Sequence, residues 1–212
     1  PEGNRELENV KWVHQDRVGY IFPGPATVQL SNQTETGRWS DITDEKNVSD
    51  ELVSEKVFML WFDHGERPGD ASYQYIVVPD VTVEELNETS TSNRNIEILA
   101  NTSDIQAVKQ LEHGICQLAF YRGGEVEISG DMKIRMDSQG MAMVKMKGNK
   151  IEQLSVADPL RKLSRIAVTV SGIYRSKGDH FFTVPDEQEN STLILIDLPQ
   201  GVYTGKSVTI EL

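Results

Sequence analysis

Apolar and polar residues alternate along this chain in many short segments, and the pattern predicts strands far more often than helices. These segments are rich in β-branched and aromatic residues and recur about every 8–12 residues between turn residues. The predicted strands are 10–14, 18–22, 26–30, 57–62, 73–78, 96–100, 115–121, 125–128, 132–136, 141–147, 166–170, 193–198 and 207–212. Many short strands at this spacing indicate an all-β fold of antiparallel β-sandwiches.

The segment 57–79 carries the most informative pattern. Residues 57–62 are an unbroken apolar run that is too short for a typical helix, and such a run predicts a strand covered on both faces. Residues 73–78 predict a second strand, which ends at Pro79 because proline has no N–H to donate to the sheet. The loop between the two runs contains glycine and proline, so the segment is predicted to form a hairpin.

Helix signals are few, and they help to divide the chain. Thr82 is followed three residues later by Glu85, a capping-box pattern that predicts one or two helical turns, and residues 50–56 predict a second short turn. Residues 87–95 contain no apolar side chain and are predicted to be a linker. The predicted domains are therefore residues 1–86 and residues 96–212.

The net charge of the chain limits the classes of partner that it could bind. The 212-residue chain has a formal net charge of −12, which does not fit a protein that binds nucleic acid or a membrane surface. Residues 131–177 depart from this average, with 10 basic and 4 acidic residues. This basic stretch could meet a polyanionic sugar chain; the alternative is that its lysines only cover the solvent face of strands.

Nothing in the sequence indicates a catalytic or metal centre. The four histidines lie far apart and lack the spacing of a zinc site, and the single Cys116, in an apolar strand pattern, is predicted to be buried and inert. In the hairpin loop, Asp63 is predicted to accept backbone N–H bonds and His64 to pack. The acidic residues between 41 and 51 could hold Ca²⁺ only if the loop folds back on itself, and a solvated loop is the simpler interpretation. No cofactor is predicted.

The tryptophans offer one candidate for sugar binding. Trp12 and Trp61 lie within apolar strand patterns and are predicted to be core residues, whereas Trp39 is flanked by polar residues. An exposed indole ring can stack on a sugar ring. Trp39 is therefore the candidate carbohydrate-binding residue.

Three motifs in sequence order resemble one enzyme family. One is Trp61–Gly65 with its predicted hairpin. Upstream of it lies Trp12-Val13-His14 with Gly19-Tyr20, where Gln15 replaces a second histidine that is common in the family. The third is 98–108 with the closing segment 198–210. Together they resemble the C-terminal β region of the polysaccharide lyases that include chondroitin AC, hyaluronan and xanthan lyases.

The resemblance implies a fold and a function. Residues 1–86 would be the end of a larger central sandwich, and residues 96–212 a small C-terminal sandwich. The parent would be a secreted or periplasmic bacterial lyase that cleaves uronic-acid polymers by β-elimination. In that family the tyrosine that removes the C5 proton, and the asparagine and histidine that neutralise the carboxylate, belong to an N-terminal helical domain. No catalytic residue is therefore assigned to this chain, which is predicted to be inactive alone.

The predicted partners follow from this reading. They are the acidic polysaccharide, reached through the parent enzyme, and the helical domain. Unpaired strand edges in residues 1–86 also predict self-association of the chain when it is isolated. The alternative function is a stand-alone carbohydrate-binding or structural β-sandwich module.

Overall fold

The computed structural model describes residues 3–92 and 95–212, and the chain forms two compact units, Pro1–Asn93 and Arg94–Leu212. Most described residues lie in strands, and every pair of neighbouring strands is antiparallel, which confirms the predicted fold class. The first unit contains β1 (Gly3–Gln15), β2 (Val18–Gly37), β3 (Val53–Trp61), β4 (Ile76–Pro79) and helix α1 (Val83–Ser92). The second unit contains β5 (Ile96–Asn101), β6 (Ile105–Gln110), β7 (Ile115–Phe120), β8 (Gly124–Ser129), β9 (Met132–Met136), β10 (Gly140–Lys147), β11 (Lys150–Ala157), β12 (Arg165–Ser171), β13 (Lys177–Gly178), β14 (Phe181–Asp186), β15 (Ser191–Asp197) and β16 (Val208–Glu211).

The first unit is built around one long strand. Strand β2 pairs with β1 along one edge, and with β4 and then β3 along the other. Because side chains alternate across a strand, Phe22 and Val28 are buried on one face of this sheet, while Ile21 packs on the opposite face against Leu86 of α1. Few side chains are fully buried in the unit, as expected for a sheet that lacks a second layer over most of its area.

Helix α1 begins with the predicted capping box but is longer than predicted. The Glu85 N–H donates to Thr82 Oγ1 at 3.2 Å, and the Thr82 N–H donates to the Glu85 carboxylate at 2.9 Å. The Thr82 hydroxyl also donates to this carboxylate, at 3.0 Å, and the two bonds from Thr82 to the carboxylate lower the pKa of Glu85. The helix then continues through residues 87–92, which were predicted to be linker. Because the fully buried Leu86 anchors the helix, the helix can continue for another turn that is polar and faces solvent. The lack of apolar side chains in residues 87–92 therefore did not mark the end of the helix.

Three predictions about residues 50–79 are wrong. Residues 57–62 and 73–78 do not form a hairpin, because β3 and β4 do not pair with each other; both pair antiparallel with different parts of β2. Residues 50–56 do not form a helical turn, because β3 begins at Val53 and pairs with β2 from Gly37 onward. The run 57–62 is also not covered on both faces: alternate side chains, including that of Trp61, point to solvent. Trp61 is 41 % exposed and is not the predicted core residue. The pattern of an apolar run cannot distinguish a covered strand from one that has an uncovered apolar face.

The second unit is a closed sandwich with one continuous core. Its sheets have the strand orders β16-β11-β10-β7-β6-β5 and β13-β14-β15-β12-β9-β8. In β10 every second residue is buried, and the same alternation recurs in β9 and β15, so each sheet turns one apolar face inward. The buried side chains of both sheets, among them Ile134, Leu154 and Ile194, belong to a single cluster.

Candidate functional site

The residues of the Trp12–Tyr20 motif hold helix α1 against the first sheet. His14 Nε2 lies 2.8 Å from the carbonyl oxygen of Val81, just before the helix, and the Trp12 ring packs on the cluster that contains Leu86. Gly19 lies so close to the helix that a Cβ atom there would be 2.4 Å from Leu86 Cδ1. The motif therefore has a structural role, and His14 makes the kind of contact expected of a packing residue rather than of a catalyst.

An aromatic surface lies where the loop between β3 and β4 meets the first sheet; it consists of Phe62, His64, Tyr73 and Tyr75. The Phe62 ring stacks on His64 with centroids 6.3 Å apart and on Tyr73 at 5.5 Å, and Tyr73 stacks on Tyr75 at 6.3 Å. Tyr73 and Tyr75 remain 58 % and 48 % exposed. Asp63 Oδ1 accepts the Gly65 N–H at 2.8 Å, which confirms the predicted role of Asp63 in the turn.

The chemistry of the aromatic surface favours packing over the binding of an acidic sugar. The aromatic surface is continuous with the half-buried apolar face of the sheet through Tyr20, which contacts both Phe58 and Tyr75. The neighbouring loop carries Asp63, Glu66 and Asp70 against a single Arg67, so its charge repels carboxylates and sulfates. The sequence pattern predicted Tyr73 and Tyr75 to be strand residues, but both precede β4, which begins at Ile76, and the structure shows them as exposed.

Trp39, the predicted sugar-binding residue, lies in the 3₁₀ turn Trp39–Asp41 that follows β2, and it is 58 % exposed. Arg38 Nε donates to the Asp50 carbonyl at 3.1 Å, and the Ser40 hydroxyl donates to the Asp50 carboxylate at 2.7 Å. These bonds fix the turn beside several acidic residues. The ring is therefore accessible, and its role in sugar binding stays a prediction.

A polar cleft of about 660 Å³ opens in the second unit, between the β8–β9 turn, the β10–β11 turn and the segment after β12. Lys150, Arg175 and Asp131 line it, and Arg175 is paired with Glu187 outside the lining. The hydroxyl of the buried Tyr174 accepts the Ile151 N–H at 2.9 Å, which fixes the cleft floor. Its mixed charges give it no preference for an anionic ligand over a neutral one.

Other reactive side chains are dispersed. Within residues 3–92 and 95–212, no three His, Cys, Asp or Glu side chains are grouped closely enough to hold a metal ion. Cys116 is fully buried, and this burial raises the pKa of its thiol. In the same described ranges, no helix has both the length and the apolar composition needed to cross a membrane.

Comparison with known families identifies the class of both units. The family profile described as "Polysaccharide lyase family 8, super-sandwich domain" matches residues 1–90, and the one described as "Polysaccharide lyase family 8, C-terminal beta-sandwich domain" matches residues 97–167. The order of an open sheet followed by a closed sandwich is therefore that of a polysaccharide lyase. This chain belongs to polysaccharide lyase family 8 and forms part of its C-terminal region.

Individual relatives agree with this assignment. The chain is 29 % identical over 204 residues to the chondroitinase-AC of Pedobacter heparinus, a match that covers 94 % of this chain and 26 % of that protein. It is 33 % identical over 167 residues to the hyaluronate lyase of Thermasporomyces composti, covering 77 % of this chain and 20 % of the relative. A solved chondroitinase AC lyase superposes with a TM-score of 0.80 at 28 % identity, over 99 % of this chain and 29 % of that structure. The chain thus spans about a quarter of the length of these relatives.

Proposed function

We propose that this chain is the non-catalytic β-sandwich portion of a lyase that cleaves uronic-acid polysaccharides of the chondroitin or hyaluronan type by β-elimination. The observation that carries the proposal is the coverage: almost the whole chain matches a chondroitinase, yet it spans only 26 % of that enzyme. The family resemblance supports this proposal, because in such a parent enzyme the proton-abstracting tyrosine and its partners would belong to a helical domain N-terminal to this stretch. The role proposed here is to support the part of the enzyme that binds and cleaves the polymer.

The aromatic surface and the open face of the first sheet support a scaffolding role. Val57, Met59 and Trp61 are exposed on one face of β3, and Tyr73 and Tyr75 are exposed in the aromatic surface. A β-sheet normally buries such a face under a second layer. In the parent enzyme that layer would come from other strands of the super-sandwich, and in the isolated chain its absence would promote self-association. A bacterial parent that is secreted or periplasmic fits an enzyme whose substrate is a large extracellular polymer.

A lyase assay tests the proposal. β-Elimination creates an unsaturated uronide that absorbs in the ultraviolet, so product formation is followed directly on chondroitin sulfate and on hyaluronan. The complete parent protein is expected to form product and the isolated chain to form none. Product from the purified chain, abolished by replacing one of its own tyrosines such as Tyr20 or Tyr73, would show that catalytic residues lie here.

A stand-alone carbohydrate-binding module is the second candidate, and the exposed ring of Trp39 favours it. The two functions differ in what Trp39→Ala does. A binding module would lose affinity for a polysaccharide, whereas a scaffold would keep both its fold and any sugar contact made elsewhere.

A further inference from the structure

Two loops at one end of the second unit present an aromatic ring among cations; we call these residues the basic loop patch: Arg161, Lys162, Tyr203 and Lys206. The first two lie in the loop after β11, and the other two lie in and just after the 3₁₀ turn Gly201–Tyr203, which follows β15. Tyr203 is 64 % exposed, and Lys206 Nζ lies 5.8 Å from the centre of its ring. The Arg161 side chain lies along the backbone at Gly205, where a Cβ atom would be 3.1 Å from Arg161 Cγ. The two loops are therefore adjacent and share one surface.

The loops are held in place by hydrogen bonds rather than by the cations themselves. The buried Asp158 carboxylate accepts the Leu160, Lys162 and Leu163 N–H groups at 3.0, 2.6 and 2.7 Å. Gln200 Nε2 donates to the carbonyl oxygens of Leu163 at 3.2 Å and Leu198 at 3.1 Å, which ties the second loop to the first. The backbone that carries the patch is thus fixed before any ligand binds, which reduces the entropy cost of binding.

The charge of the patch is uncompensated. Arg161, Lys162 and Lys206 form no ion pair with any of the described residues, whereas most other arginines of the second unit are paired, as Arg165 is with Asp197. The acid closest in the loop, Asp158, is buried and turned to the backbone. A chain with a net charge of −12 therefore keeps three unpaired cations at one place, beside an exposed ring.

We propose that the basic loop patch is a non-catalytic binding site for an acidic polysaccharide, with a sugar ring stacked on Tyr203 and carboxylate or sulfate groups paired with Arg161 and Lys206. The choice of a uronic-acid polymer as the ligand rests on the function proposed above. A phenol ring offers the flat apolar face that a pyranose stacks on, and guanidinium and ammonium groups are the donors that bind carboxylate and sulfate. The site would hold the polymer on the enzyme between cleavage events and so raise its local concentration.

Binding without turnover tests this proposal. The whole chain is titrated calorimetrically with three hexasaccharides. Chondroitin sulfate carries both sulfate and carboxylate groups, hyaluronan carries carboxylate groups only, and maltohexaose is uncharged. Both acidic sugars are expected to bind and maltohexaose not to bind, with affinity falling as salt rises. The double variant Arg161→Gln/Lys206→Gln should bind about tenfold or more weakly, because hydrogen bonds between charged groups are lost. Tyr203→Ala should weaken binding and Tyr203→Phe should retain it.

The matched control is Lys11→Gln/Lys46→Gln, which removes two exposed cations of the first unit and changes the net charge equally. It should bind as the wild-type chain does. The proposal is wrong if the wild-type chain binds neither acidic sugar, or if the patch variants bind as tightly as the control. Failure of the lyase assay on the parent protein would contradict the proposed function, whereas failure of the titration on this chain contradicts only the patch.

Discussion

At the scale of single residues, the Trp12–Tyr20 motif packs helix α1 against the first sheet, and Gly19 is the clearest example. It lies in β2 where helix α1 crosses, and a Cβ atom would fall 2.4 Å from the fully buried Leu86 side chain. Gly19→Ala is therefore expected to lower the free energy of unfolding of the first unit by about 1–3 kcal/mol, as overpacking does in a filled core. Urea unfolding followed by tryptophan fluorescence measures this, since all three tryptophans lie in the first unit.

Gly37→Ala is the control for this prediction. Gly37 ends the same strand, and a Cβ atom there would meet nothing within 4 Å. Its unfolding midpoint should stay within the usual small range of surface substitutions, roughly 0.5 kcal/mol. Equal losses in the two variants would mean that strand flexibility, and not the contact with Leu86, decides the cost.

Asp158 makes a second prediction at this scale, and it depends on pH. Burial of this carboxyl opposes its ionisation, but the backbone N–H groups of residues 160–163 outweigh the burial, and the pKa of Asp158 is lowered. Because its pKa is lower in the folded than in the unfolded chain, the stability it contributes is complete above the ordinary aspartate pKa and is lost as the pH falls through the folded pKa. Asp158→Asn should cost about 1–3 kcal/mol near neutral pH, since backbone donors lose a charged acceptor.

The measurement compares denaturant unfolding of the wild type and Asp158→Asn by circular dichroism over a range of pH. The difference between them should shrink in acid, since the wild-type carboxyl is then protonated as well. Other acidic groups titrate in both proteins and cancel in the difference. A difference that stays constant with pH would show that Asp158 acts through the shape of its side chain and not through its charge.

At the scale of elements, the sequence predicted strands well where one face is buried under a closed sandwich. Strands β9, β10 and β12 alternate strictly in burial, and each lies on a predicted segment. Strands β6, β11 and β14 lie on segments that were not predicted to be strands. The buried residues of β11 are not strictly alternating and include Ser155. In the first unit the predicted 18–22 and 26–30 are one strand, β2, since proline and glycine at 23–25 do not interrupt its pairing with β1 enough to end it.

The candidate site was less predictable than the fold. Trp39 could be singled out because its neighbours in sequence are polar, and it is exposed as expected of a candidate. Only half of the basic loop patch was indicated by sequence: Arg161 lies in the basic stretch 131–177, whereas Tyr203 and Lys206 are far from it in sequence and come beside it only in the folded chain. The lack of ionic partners at Arg161 and Lys206 is a property of the folded loops and has no signature in sequence.

Strand β3 gives a prediction that corrects an expectation about Trp61. A tryptophan core residue would cost about 3–5 kcal/mol when replaced by alanine, but Trp61 is 41 % exposed and loses only part of that burial. Trp61→Ala should therefore cost about 1–2 kcal/mol, from the smaller apolar area it removes from water. Phe22→Ala is the comparison within the same unit: Phe22 is buried and packs edge-on against Phe62, so it should cost about 3–5 kcal/mol.

Unfolding is followed by tryptophan fluorescence, from Trp12 and Trp39 in Trp61→Ala and from all three tryptophans in Phe22→Ala. Phe22→Ala is expected to lose more unfolding free energy than Trp61→Ala. If Trp61→Ala proves as costly as Phe22→Ala, the exposed face of β3 is covered in solution, for example by a second copy of the chain, and the loss should then depend on protein concentration.

At the scale of the whole molecule, the two units differ in how completely they bury their apolar residues. The second unit encloses one core between two six-stranded sheets, whereas the first is a single sheet with one helix on part of one face. The family profile that matches the first unit describes a super-sandwich domain. Stability and association of the isolated chain should therefore be set by the first unit.

The last prediction follows from the uncovered face of β3. Val57, Met59 and Trp61 are exposed on alternate positions of this edge strand, and an apolar edge favours pairing with a second chain. The whole chain is expected to self-associate in sedimentation velocity and to bind a hydrophobic dye, while a protein of residues 95–212 should be monomeric because its core is closed. Met59→Thr/Trp61→Thr should weaken the association, since threonine keeps the strand preference and removes apolar area.

The matched control is Met141→Thr/Met143→Thr, two exposed positions of β10 in the second unit, which should associate as the wild type does. If the whole chain sediments as a monomer without binding dye, the first unit covers its own apolar surface and is a complete domain.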